Sequence, residues 1–247
     1  ELEAPEAPET VPAATGSVDG VLQILLDGDH EYWLRLGDSW DEYQLAVVSL
    51  VDLIYRAELG FGIEVVGQHV WTSPGPLSSS SGFCSGVSPD LLVQFTQHWE
   101  SVAPTTRDVR EAAHLFTGKT FAGGYVGCGW IGQLETSRAY AVSRVGYAEA
   151  AKVDRAVAHR DALLVAHEIG HNFAGQHGRA APTPGGVLDL LRTGCLNGAT
   201  IMYPCVLLNS PAFSEAPPLL AGPLASADVM QDGGNAPWMR AYATGRI

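Results

Sequence analysis

This 247-residue chain has no run of roughly 18 apolar residues, the length a membrane-crossing helix needs. The best candidate, residues 45–55, is short and broken by Asp52. Positive charge is scarce: 14 Lys and Arg stand against 27 Asp and Glu, a net charge of −13. Phosphate-rich nucleic acids and anionic membrane surfaces would be repelled. Cysteines number only four, Cys84, Cys128, Cys195 and Cys205. None forms C-x-x-C, which argues against a zinc ribbon, and an even number leaves three pairings open. No EF-hand-like loop is present, so calcium stays possible but takes no assigned residue. The serines at 79–81 lack the strand-to-helix elbow of a serine hydrolase. A chain that opens on Glu1 rather than Met reads as processed or trimmed.

What the chain does have is His167-Glu-Ile-Gly-His-Asn-Phe-Ala-Gly-Gln-His177. Four residues of helix turn about 400°, so His167 and His171 share one face, one turn apart. Two imidazoles so placed can grip one Zn²⁺, with Glu168 beside them as general base. His177, arriving from beyond the helix, would complete three protein ligands. One coordination position is then left for water, as a catalytic zinc requires. The preceding Asp161-Ala-Leu-Leu-Val-Ala166 is apolar and helix-forming, as a buried zinc helix should be. Downstream, Ala199-Thr-Ile-Met-Tyr-Pro204 reads as a tight turn holding Met202.

At these residues the chain resembles the metzincin clan of zinc endopeptidases, and most of all its adamalysin (reprolysin) family. That motif is H-E-x-x-H-x-x-G-x-x-H followed by a Met-turn beneath the metal. Gly170-His-Asn-Phe173 fits the family wording, and His114-Leu-Phe-Thr-Gly118 resembles the segment entering its substrate-side edge strand. Residues 126–132 and Ala139-Tyr-Ala-Val-Ser143 resemble the strand pair that follows, and Phe213-Ser214 the start of the last segment. The likeness runs over residues 17–215. The family's Gly at the eighth motif position is Ala174 here, with Gly175 next. Either Ala174 takes a positive φ, or the helix runs on and Gly175 makes the turn. Tyr203 follows Met202 directly, so it receives no metal role.

The resemblance implies one catalytic zinc held by His167, His171 and His177, with Met202 supporting it from below. It implies an extended peptide pairing with an edge strand at Gly124, Val126 and Gly127. Leu207, Leu208, Ala212 and Phe213 would wall the pocket next to the scissile bond. Cys195 and Cys205 bracket the Met-turn, where a disulfide would pin it; Cys84 and Cys128 would then pair. Secretion and a monomeric state are expected on the same grounds. The rival expectation is a non-catalytic zinc fold that binds protein partners, with only Ala174 in its favour.

The pattern places a disordered, acidic and Pro-rich tail at 1–16, and a catalytic domain at 17–247. Strands are expected at 21–26 and 61–71, then near 113–117, 124–132 and 139–146. Helices are expected at 38–59, capped by Asp38 or Ser39 and ended by Gly60, and at 88–100, with Ser88 as cap. The zinc helix should occupy 157–174. Residues 72–87 are a Pro-, Ser- and Gly-rich loop, and a short turn at 189–192 and a short helix at 225–230 fit the remainder. This order suggests an α/β upper lobe at 17–177 on a mostly parallel sheet, and a small irregular lower lobe at 178–247. Gly127-Cys-Gly-Trp-Ile-Gly132 matches G-x-G-x-x-G, but no helix pattern follows, so a dinucleotide site is not expected. His30, His69, His98, His114 and His159 have no metal spacing and read as surface or core histidines.

Overall fold

The computed structural model describes residues 20–78, 82, 90–102, 110–120, 126–134, 136–145, 155–175 and 243. The tail, the 79–81 serines and nearly all of the expected lower lobe lie outside these residues. Five strands form one sheet: β1 (Gly20–Gly28), β2 (Phe61–Val70), β3 (Ala112–Thr117), β4 (Gly127–Gly129) and β5 (Tyr140–Arg144). Their order is β2-β1-β3-β5-β4. The first four in that order run parallel, and β4 runs antiparallel along the β5 edge. The mostly parallel α/β architecture read from the sequence is the one observed.

Side-chain alternation sorts the sheet into two faces. Ala112 and Phe116 of β3 join the cluster that includes helices α2 (Trp40–Leu59) and α4 (Arg155–Asn172). Ala113 and Leu115, one position out of phase, meet Leu91, Leu92 and Phe95 of α3 (Leu91–Val102) on the other face. All six residues of β3 are buried because both faces are covered.

Helix α2 fixes the position of α4. Its buried Tyr43 Oη donates to Asp161 Oδ2 at 2.6 Å, and Tyr55 Oη donates to the Ala166 carbonyl at 3.0 Å. Tyr55 and Phe61 also pack their rings on Phe173, just past the end of α4. Gly60, at φ 77, closes α2 in the left-handed conformation that suits glycine.

The expected helix at 38–59 begins at Trp40, and Ser39, its N-cap, makes no side-chain capping bond. The reason is a helix the pattern did not reveal, α1 (His30–Leu36), joined to α2 by one 3-10 turn at Gly37–Ser39. Helix α3 starts at Leu91, and its cap is Asp90, whose Oδ1 accepts from the Leu92 and Val93 amides. Ser88, the expected cap, lies outside the described residues. The expected strand at 124–132 is only Gly127–Gly129 in the described chain. Gly132 and Gln133 instead donate their amides to the terminal carbonyls of α4, at His171 and Asn172.

Asp29 joins three elements at the end of β1. Its carboxylate accepts from the Tyr32 amide at 2.8 Å, capping α1, and from the Gly118 amide at 2.9 Å. The Thr117 hydroxyl donates to its other oxygen. Burial nevertheless pushes its pKa up to about 6. The folded protein therefore binds a proton at Asp29 between about pH 4 and 6 that the unfolded chain releases. This group's contribution is largest at low pH and falls as pH rises through that window. We expect the stability of the parent relative to Asp29→Asn to fall by about 2 kcal/mol from pH 4 to pH 7. Urea unfolding of both proteins at the two pH values checks this; a constant difference would refute it.

Candidate active site

Helix α4 carries His167, Glu168 and His171 into the interior, at 0%, 1% and 6% exposure. One ligand atom from each lies within 4.8 Å of the others, and all three are buried. The two imidazole rings sit 4.8 Å apart at 86°, as the one-turn spacing requires. The sequence singled out these three residues, and the fold brings them together. His177, Met202, Gly124, Leu207, Leu208, Ala212, Phe213, Cys84, Cys195 and Cys205 lie outside the described residues.

The end of α4 shapes the site. The Gly175 amide donates to Gly170 and the Ala174 amide to His171, both at 2.9 Å. These are the two bonds of a Schellman turn, which ends a helix through one left-handed residue. That residue is Ala174, at φ 65. The turn is therefore made by Ala174 and not Gly175, at a cost of about 1 kcal/mol for its Cβ. The chain then reverses so that the Gly175 carbonyl lies 2.7 Å from His171 Nδ1. A carbonyl only accepts, so Nδ1 carries the proton and Nε2 keeps its lone pair for a metal.

Among the described residues, Glu168 Oε2 is buried with no hydrogen-bond partner. Burial pushes its pKa well above the ordinary carboxylate value. A buried carboxylate oxygen without a donor, beside two inward imidazoles, fits a site completed by a cation and its water. The donor set, two nitrogens and a neighbouring carboxylate, suits Zn²⁺.

Edge strand β4 lies directly over α4. Val126 spends its carbonyl on the Arg144 amide, at 2.7 Å, and Trp130 donates its amide to Tyr140 at 3.2 Å. By antiparallel alternation, Gly127 and Gly129 turn their backbone groups to the outer edge. Of the edge residues named from the sequence, Gly127 thus faces outward and Val126 faces inward. Asn172, which the sequence reading passed over, ties strand to helix: its Nδ2 donates to the Trp130 and Tyr140 carbonyls, at 2.8 and 3.2 Å. Its place right after His171 was visible, but not its partners, which come from far along the chain. Cys128 points to the opposite face and is disulfide-bonded. Its partner lies outside the described residues. His114, buried beside Ser143 at 3.0 Å, has its pKa pushed down to about 3 by burial and stays neutral. It is a core histidine, as its lack of metal spacing implied.

The Metallo-peptidase family M12 model matches residues 20–214. The chain belongs to metallo-peptidase family M12. That family is zinc-dependent, and the buried His-Glu-His cluster of this M12 member stands where such a site is needed. One solved structure, described as the structure of a chaperone-substrate complex, superposes with a TM-score of 0.56. It matches 91% of this chain at 15% identity, which shows a shared fold. This chain spans 34% of that chain's length. Among the described residues, no helix is long and apolar enough to cross a membrane.

The strained turn generates a test. Ala174→Gly should raise unfolding free energy by up to about 0.6 kcal/mol, the relief of left-handed strain less the added freedom of the unfolded chain. Denaturant titration reads it. Destabilisation would mean that Ala174 is not strained.

Proposed function

We propose that this M12 peptidase is a zinc-dependent endopeptidase that hydrolyses extended protein substrates. The observation that carries the reading is the buried group of His167, Glu168 and His171 beneath an outward-facing edge strand. His167 and His171 hold the metal, and His177 supplies the third ligand. The departure at Ala174 does not count against this, because Ala174 adopts the left-handed turn itself. When bound, Zn²⁺ polarises the scissile carbonyl and acidifies a water at the site.

The rest of the chemistry falls to the chain's own residues. The substrate backbone pairs in extended form with the outer edge at Gly127 and Gly129. Glu168 takes a proton from the attacking water, which adds to the carbonyl carbon. The same carboxyl then gives that proton to the departing amine as the C–N bond breaks. The His171–Gly175 bond keeps the imidazole oriented throughout. By resemblance, Met202 supports the site and Leu207 and Phe213 line the pocket beyond the scissile bond.

We place the protein outside the reducing cytosol, as a secreted monomer, and the disulfide at Cys128 supports that placement. A non-catalytic metal fold is the weaker reading, because Glu168 is present, buried and directed into the site.

Cleavage of a peptide library, with and without a chelator, tests the activity; chelation should abolish it. Glu168→Ala should keep its zinc and lose at least about 10²-fold in turnover. Full turnover in the zinc-loaded variant would remove Glu168 from the mechanism. His177→Ala should lose zinc affinity, measured by metal competition; parent-like affinity would exclude His177 as a ligand and direct attention to Asp189 or a water.

A further inference from the structure

We propose that Gly127 is a positioning residue for Glu168: the edge strand omits a side chain there so that the carboxylate can lie against its backbone. This rests on the endopeptidase reading and adds a residue to it. A Cβ built on Gly127 would stand 2.2 Å from Glu168 Oε1, 2.6 Å from Cδ and 2.7 Å from Cγ. Non-bonded atoms prefer separations of about 3.5–4.0 Å, so any other residue must move the carboxylate. Glu168 is 1% exposed and has no open solvent to retreat into.

The second glycine of the strand makes the contrast. A Cβ on Gly129 would stand 2.4 Å from the main-chain oxygen of Glu168 and 3.3 Å from the Cβ atoms of Ala141 and His171. Gly129 therefore lets strand and helix backbones touch, and Gly127 makes room for the reactive side chain. Because Gly129 holds the two backbones together, α4 cannot back away to accommodate a side chain at 127. The displacement falls on the Glu168 carboxylate itself. A methyl group at 127 would point towards α4 and not towards the outer edge.

A glycine in an edge strand does not by itself say which neighbour comes close. The direction of the missing Cβ shows that the close neighbour is the protein's own glutamate.

The test compares Gly127→Ala with the parent in the zinc-loaded full chain. Zinc content and KM should stay near parental values, while kcat falls about a hundredfold, the cost of an ångström of misplacement. Parental kcat in Gly127→Ala would overturn the proposal. Thermal unfolding supplies an arm that needs no activity. The Tm penalty of Gly127→Ala should vanish in a Glu168→Ala background, where nothing remains to collide with. The penalty of Gly129→Ala should persist there, because its collision is with main chain. Equal penalties for Gly127→Ala in both backgrounds would overturn the proposal. If Gly127→Ala alone does not fold, recovery of folding in the double variant supports the contact, and failure of both refutes it. A parent that cleaves no peptide would sink the endopeptidase reading, and the Tm comparison would still decide the contact.

Discussion

Everything around the metal-binding face depends on α4 and β4 meeting backbone to backbone. A strand and a helix are ordinarily kept apart by side chains on both. Here Gly127 and Gly129 present bare Cα atoms to the helix at the level of Glu168 and His171. The contact is fastened beyond its glycines by Asn172, which reaches two carbonyls of the sheet, and by the amides of Gly132 and Gln133. The outer edge of the strand and the imidazoles below it are thereby held in one frame. Orientation of this kind, settled before a substrate arrives, is what lowers a reaction barrier.

On its other side α4 is anchored by α2. Tyr43 bonds the buried Asp161 one and a half turns before His167, and Tyr55 bonds the carbonyl of Ala166. These partners fix the helix in rotation as well as position, since each side chain can reach only one side of it. The motif thus enters the core at a set angle, with an apolar wall behind it made by Tyr55, Phe61 and Phe173.

The site was legible where its signal was local. His167, Glu168 and His171 sit within one helical turn and a half, and helix geometry alone puts the two histidines on one side. Ala174 was legible as a departure, but not its outcome. Whether Ala or Gly bends the chain turns on which residue places its neighbours to satisfy the carbonyls of Gly170 and His171. The strands β1, β3 and β5 were legible because their buried stretches are mostly apolar, and β2, at the sheet edge, from the apolar residues Phe61, Ile63, Val65 and Val66 among polar ones. Helix α1 was missed because its seven residues bury only Tyr32, too little to produce a periodic apolar face. The short β4 was overcalled because its ending depends on helix carbonyls distant in sequence. The meaning of Gly127 and Gly129 was hidden for the same reason: a glycine in a strand does not reveal what stands where its side chain would be.

The bonds from Gly132 and Gln133 to the last carbonyls of α4 have a dynamic consequence. Amides in a sheet normally open to solvent with the neighbouring strand. These two can exchange their hydrogens only when the last turn of α4 gives way. The chain just past the edge strand and the helix bearing the histidines then form a single cooperative unit, protected or exposed together. Local melting would not loosen the chain past the edge strand while leaving the helix of the histidines intact.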